Sequence, residues 1–210
     1  MFARLSAYIR PVRRVLAGSL GATGALLLTA ALLMAATARA EPPTQVRLTT
    51  NMGDIVVELA LEQAPKTTEN FLKYVIDGFY DGTIFHRTIQ DFIIQGGGFT
   101  TDYQRKETRQ PVVNEAASGL RNLRGTIAMA RTSHPHSATA QFFINLTDND
   151  FLDHQAKSAK GWGYAVFGKV TEGMDVAERI VAIPTVARET FQNLPSTPVI
   201  IEKASLLSIE

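Results

Sequence analysis

A mainly β fold of about eight antiparallel strands with two helices is what the sequence predicts, and three observations predict it. An alternating apolar pair of segments is joined by a turn. Six further short apolar runs are separated by glycine, asparagine or proline. Only two stretches carry helical periodicity. Val46-Arg47-Leu48-Thr49-Thr50 alternates, Asn51-Met52-Gly53-Asp54 supplies a turn, and Ile55-Val56-Val57-Glu58-Leu59 returns, so the pair reads as a hairpin. Ala64-Pro65-Lys66-Thr67-Thr68 opens a helix whose apolar face is Phe71, Leu72, Val75 and Ile76, ended by Asp77-Gly78. The runs Thr83–Phe85, Phe92–Gln95, Thr126–Ala130, Gln141–Leu146, Tyr164–Val170 and Val199–Leu206 are the remaining strands. A second helix is expected at Met174–Val181, where Val176, Ile180 and Val181 share a face. Eight such strands close into a barrel or stack as a sandwich, and periodicity alone does not choose between them.

Composition narrows the chemistry. The chain has 210 residues, 45% of them hydrophobic, and no cysteine. One domain with an ample core is the default at this length. Without cysteine there are no disulfides, thiolate metal sites or thiol nucleophiles. The near balance of 21 Lys+Arg against 20 Asp+Glu is uneven along the chain. Arg4, Arg10, Arg13, Arg14 and Arg39 fall in the first forty residues, which hold no acidic residue. Removing those five leaves 16 basic against 20 acidic residues in 41–210, a net charge of −4. An acidic body has no general electrostatic attraction for nucleic acid or an anionic membrane, so neither is expected as a partner.

The basic start runs into the uncharged stretch Val15–Ala38, densest at Ala25–Ala36, followed by Ala38-Arg39-Ala40 and Glu41-Pro42-Pro43. Basic region, apolar region and small-any-small site together read as a secretory signal at 1–40, cut after Ala40, with a domain at 41–210. The rival is an uncleaved anchor, against which Gly18, Gly21 and Gly24 shorten the hydrophobic centre. The expectation is a periplasmic protein with no stable membrane insertion after cleavage.

Three segments embed a polar or cationic group among large apolar residues: Phe85-His86-Arg87 through Phe92 to Gln95-Gly96-Gly97-Gly98, Arg124–Arg131, and Ala140-Gln141-Phe142-Phe143-Ile144. Other chemistries lack support. Gly96-Gly97-Gly98 has neither the spacing nor the lysine of a phosphate loop. His134-Pro135-His136 has no carboxylate cluster beside it, and Asp148 and Asp150 sit in a turn-like segment. No serine has a nucleophile-elbow context. No cofactor and no metal are expected.

At these segments the sequence resembles the cyclophilin family of peptidyl-prolyl cis-trans isomerases, particularly its bacterial periplasmic branch. The resemblance runs on through Met129-Ala130, Phe151-Leu152 and Val166-Phe167-Gly168-Lys169-Val170 and covers 45–208. It implies a closed eight-stranded antiparallel β-barrel capped by two α-helices. It implies Arg87 as the catalytic residue, with Phe92, Ile93, Phe143 and Leu152 lining a proline pocket. Gln95 and the backbone of Ala130 and Arg131 would hold the peptide before the proline, with Phe151 and Tyr164 at the pocket edge. Arg131 stands where many relatives have asparagine, Phe151 where tryptophan is frequent, and Tyr164 where histidine is frequent. Trp162, the only indole, is expected on the same strand face as Tyr164, loosely held between Gly161 and Gly163. With no indole donor at Phe151, weak binding of the family's inhibitor cyclosporin is expected. The implied partners are proline-containing segments of unfolded or exported proteins, met by a monomer. The alternative is a proline-directed binding module or holdase with little turnover.

Overall fold

The computed structural model describes residues 45–207, so the signal expected at 1–40 and its cleavage point lie outside the described residues. Eight strands form a closed barrel: β1 (Gln45–Thr50), β2 (Gly53–Leu59), β3 (Thr83–Ile89), β4 (Ile93–Thr100), β5 (Thr126–Met129), β6 (Phe142–Asn145), β7 (Val166–Glu172) and β10 (Ile200–Leu207). Around the barrel the order is β1-β10-β3-β4-β6-β5-β7-β2, with antiparallel neighbours, and the sandwich alternative is excluded. The first and last strands pair directly, Leu48 opposite Ala204, so no barrel edge remains to be protected.

The opening hairpin folds as its alternation demands. Val46, Leu48 and Thr50 are buried on β1 and face Val57, Ile55 and Gly53 on β2. Gly53 takes φ +123°, a value side-chain-bearing residues rarely adopt, and Val176 packs 3.1 Å from where a Cβ would stand. That contact puts the second helix, α2 (Met174–Val181), at the Gly53 end of β2, while the first, α1 (Pro65–Ile76), follows the other end.

Helix α1 starts at proline but Ala64 offers no side-chain cap. The Glu115 carboxylate does so from a distant loop, accepting from the Lys66 N–H at 3.2 Å, the Thr67 N–H at 2.8 Å and the Thr67 hydroxyl at 2.7 Å. Free helix N–H groups and a carboxylate satisfy each other there. The buried face of α1 differs from the expected one. Thr67, Asn70, Phe71, Tyr74 and Val75 are buried, whereas Ile76 is 69% exposed. The large Tyr74 ring takes the place because it packs between Phe79 and Tyr80 and its hydroxyl accepts the Arg109 N–H.

Phe71, Tyr80, Phe85, Phe142 and Phe167 meet edge-on or tilted inside the barrel, with ring centroids 5.0–6.0 Å apart. Val46, Leu48, Ile55, Val57, Ile94, Ile127, Ile144 and Ile201 complete this core. A feature absent from the sequence expectation is a second, two-stranded sheet of β8 (Thr185–Arg188) and β9 (Phe191–Pro195). Every residue of β8 is exposed, so it carries no apolar alternation to read.

Candidate active site

Alternate residues on five adjacent strands, β3-β4-β6-β5-β7, point away from the core. On β4 Ile94 faces inward, while Ile93 and Gln95 face out. Their ladder partners keep the phase: Gln95 lies opposite Phe143, Phe143 opposite Ala128, and Ala128 opposite Val166. Ile93, Ala128, Phe143 and Val166, with Leu152 from a 3-10 turn at Asp150–Leu152, form a second apolar cluster outside the barrel wall. Phe92, Leu120, Ala130 and Tyr164 rest on it, half-buried.

Arg87 reaches this outer face through an irregularity. Phe85 pairs with Gly96 and points into the core, so strict alternation would send Arg87 inward as well. The register shifts between Phe85 and Arg87, two steps on β3 answering one on β4, so Arg87 pairs with Gln95 on the outside. A bulge of this kind re-aims one side chain without ending the strand. The guanidinium then lies 5.9 Å from the Phe92 ring centroid, and its Nη1 donates to Gln95 Oε1 at 3.3 Å. No carboxylate lies within ion-pair distance of Arg87 among the described residues.

Phe92 is held by the β3–β4 turn, where Asp91 adopts φ 54° and the Phe92 N–H donates to the Ile89 carbonyl at 3.2 Å. Its ring stacks on Phe151 at 5.6 Å and 23°. Phe151 is 67% exposed, an aromatic lip rather than a wall. Tyr164 meets Phe143 edge-on at 5.6 Å, and its N–H donates to the Leu152 carbonyl at 2.9 Å.

Buried asparagines hold these walls together. Asn149 Nδ2 donates to the Phe92 carbonyl at 3.2 Å and to Asn145 Oδ1 at 2.8 Å. Asn145 donates to Thr126 Oγ1 at 2.9 Å, and Asn122 donates to Asp153 Oδ1 at 3.0 Å and to the Tyr164 carbonyl at 3.3 Å. Hydrogen bonds from Asn122 and Arg121 outweigh partial burial and hold the Asp153 carboxyl below the usual carboxylate range. None of these asparagines leaves a fully buried side-chain atom without a partner, and with the Leu152 N–H donating to the Asn149 carbonyl at 2.8 Å the network fixes Phe92, Leu152 and Tyr164 relative to one another. Sequence reasoning missed these asparagines. The one available signal was Asn145 closing an otherwise wholly apolar strand.

The structure brings Arg87, Phe92, Ile93, Gln95, Ala130, Phe143, Phe151, Leu152 and Tyr164 to one face. Ala130 donates its N–H to the Gln141 carbonyl at 2.9 Å, leaving its own carbonyl as the group it can offer a peptide. Arg131 is committed by its side chain to a loop. Its Nε donates to the Gly163 carbonyl at 2.8 Å, and the guanidinium lies 4.6 Å over the Tyr164 ring. Trp162 corrects the expectation twice. It lies before β7 rather than on it, and it is not loosely held. Its indole N–H donates to the Asn114 carbonyl at 3.3 Å while His136 and His154 meet its ring edge-on. His86, beside Arg87, is buried against Phe99 and Phe191, and burial lowers its pKa to about 4.

Residues 45–206 match the family described as cyclophilin type peptidyl-prolyl cis-trans isomerase/CLD. The chain is 59% identical over 162 residues to peptidyl-prolyl cis-trans isomerase cyp18 of Streptomyces antibioticus, covering 77% of this chain and 98% of that one. It is 52% identical over 157 residues to peptidyl-prolyl cis-trans isomerase B of Escherichia coli, covering 75% and 96%. Among solved structures, a cyclophilin type isomerase of Cryptosporidium parvum superposes with a TM-score of 0.65 at 27% identity, covering 80% of this chain and all of that one. The same protein in the presence of the dipeptide Ala-Pro gives 0.63 at 28% identity, covering 79% and 99%. An eight-stranded barrel with an apolar cluster and an arginine on its outer wall, matched along its length by these relatives, belongs to the cyclophilin-type peptidyl-prolyl cis-trans isomerases.

Proposed function

We propose that Arg87 is the catalytic group of this isomerase, that the outer apolar cluster receives the proline ring, and that the substrates are X-Pro segments of exported proteins. The observation that carries the first part is a half-buried guanidinium beside that cluster whose described side-chain bond goes to a neutral amide and not to a carboxylate.

Rotation about the X-Pro bond faces about 18–20 kcal/mol because amide resonance is lost at the twisted geometry. Uncatalysed exchange takes tens to hundreds of seconds. In the planar ground state the proline nitrogen shares its lone pair with the carbonyl and accepts no hydrogen bond. At the twisted state it pyramidalises and regains the pair, and a guanidinium N–H then has an acceptor that the ground state lacks. Stabilisation that exists only at the transition state raises kcat. Arginine suits the task because its charge does not titrate near neutral pH and its donors lie in a fixed fork. Ile93, Phe143 and Leu152 hold the ring, Phe92 closes one side, and the preceding carbonyl swings. No covalent bond is made or broken.

A protease-coupled assay on a short X-Pro peptide tests this. Arg87→Ala should lower kcat/KM by about 10²–10³, the usual loss for one transition-state donor, with thermal stability unchanged. Equal losses in peptide binding and turnover would assign Arg87 to positioning instead.

The segment 1–40, with its basic start, apolar centre and Ala38-Arg39-Ala40 site, supports export to the periplasm, where the acidic body meets unfolded chains as a monomer. The mature protein should then begin at Glu41. Intact mass of the native protein checks this, and a membrane-bound species retaining 1–40 would favour an anchor.

A further inference from the structure

We infer that the β8–β9 hairpin aims the catalytic arginine, with Phe191 a positioning residue that acts on Arg87 through the β3 bulge; this rests on Arg87 being the catalytic group. The ladder between β3 and β4 is irregular on both strands here. From the Phe85–Gly96 pair to the Arg87–Gln95 pair, two steps on β3 answer one on β4, so His86 is the extra residue. From Thr83–Thr100 to Phe85–Gly96, two steps on β3 answer four on β4, and the surplus falls on Gly97, Gly98 and Phe99. Among the residues the ladder leaves over, only His86 and Phe99 carry side chains. Their rings meet at 4.7 Å between centroids. Phe191 touches both edge-on, 6.0 Å from His86 and 5.0 Å from Phe99.

A bulge stays in place when its extra side chain is held. Strand β9 lies against β3 without pairing to it, so side chains and not ladder bonds make this contact. His86 is only 6% exposed, and its Nδ1 has no hydrogen-bond partner among the described residues. Packing under Phe191 and Phe99 is what keeps that polar ring out of water. With the Phe191 ring gone, His86 would be free to swing outward. The backbone step that turns Arg87 to the outer face would then lose its anchor.

The hairpin tip supplies an independent observation. Phe99, Tyr103 and Phe191 are half-buried, yet they join neither the barrel core nor the outer apolar cluster. Phe191 is the ladder partner of Arg188 across the two-residue turn Glu189-Thr190, where Glu189 takes φ 51°. Arg188 lays its guanidinium 4.3 Å over the Tyr103 ring, and Tyr103, itself at φ 66°, stands 5.9 Å from Phe191. Three non-glycine residues have positive φ among the described residues. Asp91 sets Phe92, and the other two hold the hairpin tip against the barrel. Strain of this kind persists only where surrounding contacts over-determine the backbone.

The experiment measures kcat and KM on an X-Pro peptide for Phe191→Ala, Phe191→Leu, Arg87→Ala and the Phe191→Ala/Arg87→Ala double variant, each checked for a cooperative thermal transition. Phe191→Ala should lower kcat about tenfold, the equivalent of ~1.4 kcal/mol at the transition state, with KM within about twofold. Phe191→Leu refills the space over His86 and should recover most of that loss. In the Arg87→Ala background, measured at raised enzyme concentration, Phe191→Ala should cost nothing further, because no guanidinium is left to aim. A general loosening of the fold would lower both backgrounds alike. An equal loss in both, or an unchanged kcat in Phe191→Ala, would overturn the positioning role. So would a raised KM with unchanged kcat, which would make these rings a peptide contact. If Phe191→Ala does not fold, Arg188→Ala runs the same cycle, since an exposed residue can be removed with the core intact. It should lower kcat by about two- to fivefold, the worth of one exposed cation–ring contact. Full activity in Arg87→Ala would instead remove the catalytic reading beneath it, so the two failures are distinct.

Discussion

The same strands build two apolar clusters on opposite faces of one wall, and the two behave differently. Inside the barrel, Ile94, Ile127, Phe142, Ile144 and Phe167 are wholly buried beneath Phe71 of α1, Ile180 of α2 and the opposite strands. Outside, their alternates Ile93, Ala128, Phe143 and Val166 are nearly as buried but are roofed by Leu152 and the half-buried Phe92, Leu120, Ala130 and Tyr164, with Phe151 open to solvent. The inner face spends its apolar area on the fold. The outer face leaves part of its apolar area uncovered, at Phe92, Phe151 and Tyr164, and polar bonds from asparagine hold its walls where packing from above is missing.

The sharpest way to break the comparison is to cut one ring from each side. Phe142→Ala should destabilise by about 3–5 kcal/mol, because a closed aromatic core relaxes little around a void. Phe143→Ala, 2% exposed but under an open roof, should cost about 2–3 kcal/mol, since neighbours can collapse or water can enter. Its KM should rise, whereas the folded fraction of Phe142→Ala should keep a near-normal KM. Urea titrations and peptide kinetics on both variants check this, and equal stability losses would erase the distinction.

Next in size is a pH effect at the wall itself. His86 has its pKa lowered to about 4 by burial, and its Nδ1 has no hydrogen-bond partner. The unfolded chain takes up a proton on this ring near pH 6.5, the folded protein only near 4. Stability from this group is therefore unchanged above pH 6.5, falls as pH drops through the window, and has lost about 2 kcal/mol by pH 5. Urea midpoints at pH 7.5 and 5 should separate clearly in the parent and less in His86→Gln. Equal pH dependence in the two proteins would exclude His86 as the source.

The smallest expected effect sharpens the outer face alone. Phe151 offers an apolar lip and no donor, and Trp162 has its indole N–H engaged by Asn114. Were cyclosporin to bind on this face, a carbonyl losing water at Phe151 would find no partner, at a cost of about 1–3 kcal/mol. Phe151→Trp should tighten inhibition by roughly ten- to a hundredfold while turnover of small peptides hardly changes. Tight inhibition of the unsubstituted protein would refute the missing-donor argument.

Local information was enough for most of the frame. The β1–β2 hairpin, both helices and the cores of the other six barrel strands follow from alternation, proline and glycine, which act within a few residues. The Arg87, Phe92, Gln95 and Phe143 segments were legible because a cation and amides among aromatics stand out along the chain. Tertiary structure decided what depends on distant partners. Alternation carries Phe85 and Arg87 to the same face, and only the bulge against β4 separates them. The Glu115 cap on α1, the asparagine ties among Phe92, Leu152 and Tyr164, and the place of Phe191 over His86 and Phe99 join residues far apart in sequence. Burial on α1 went to Tyr74 and not Ile76 for the same reason. Periodicity tells which residues share a face until the register slips, and a buried polar group shows its purpose only when its partner is in place.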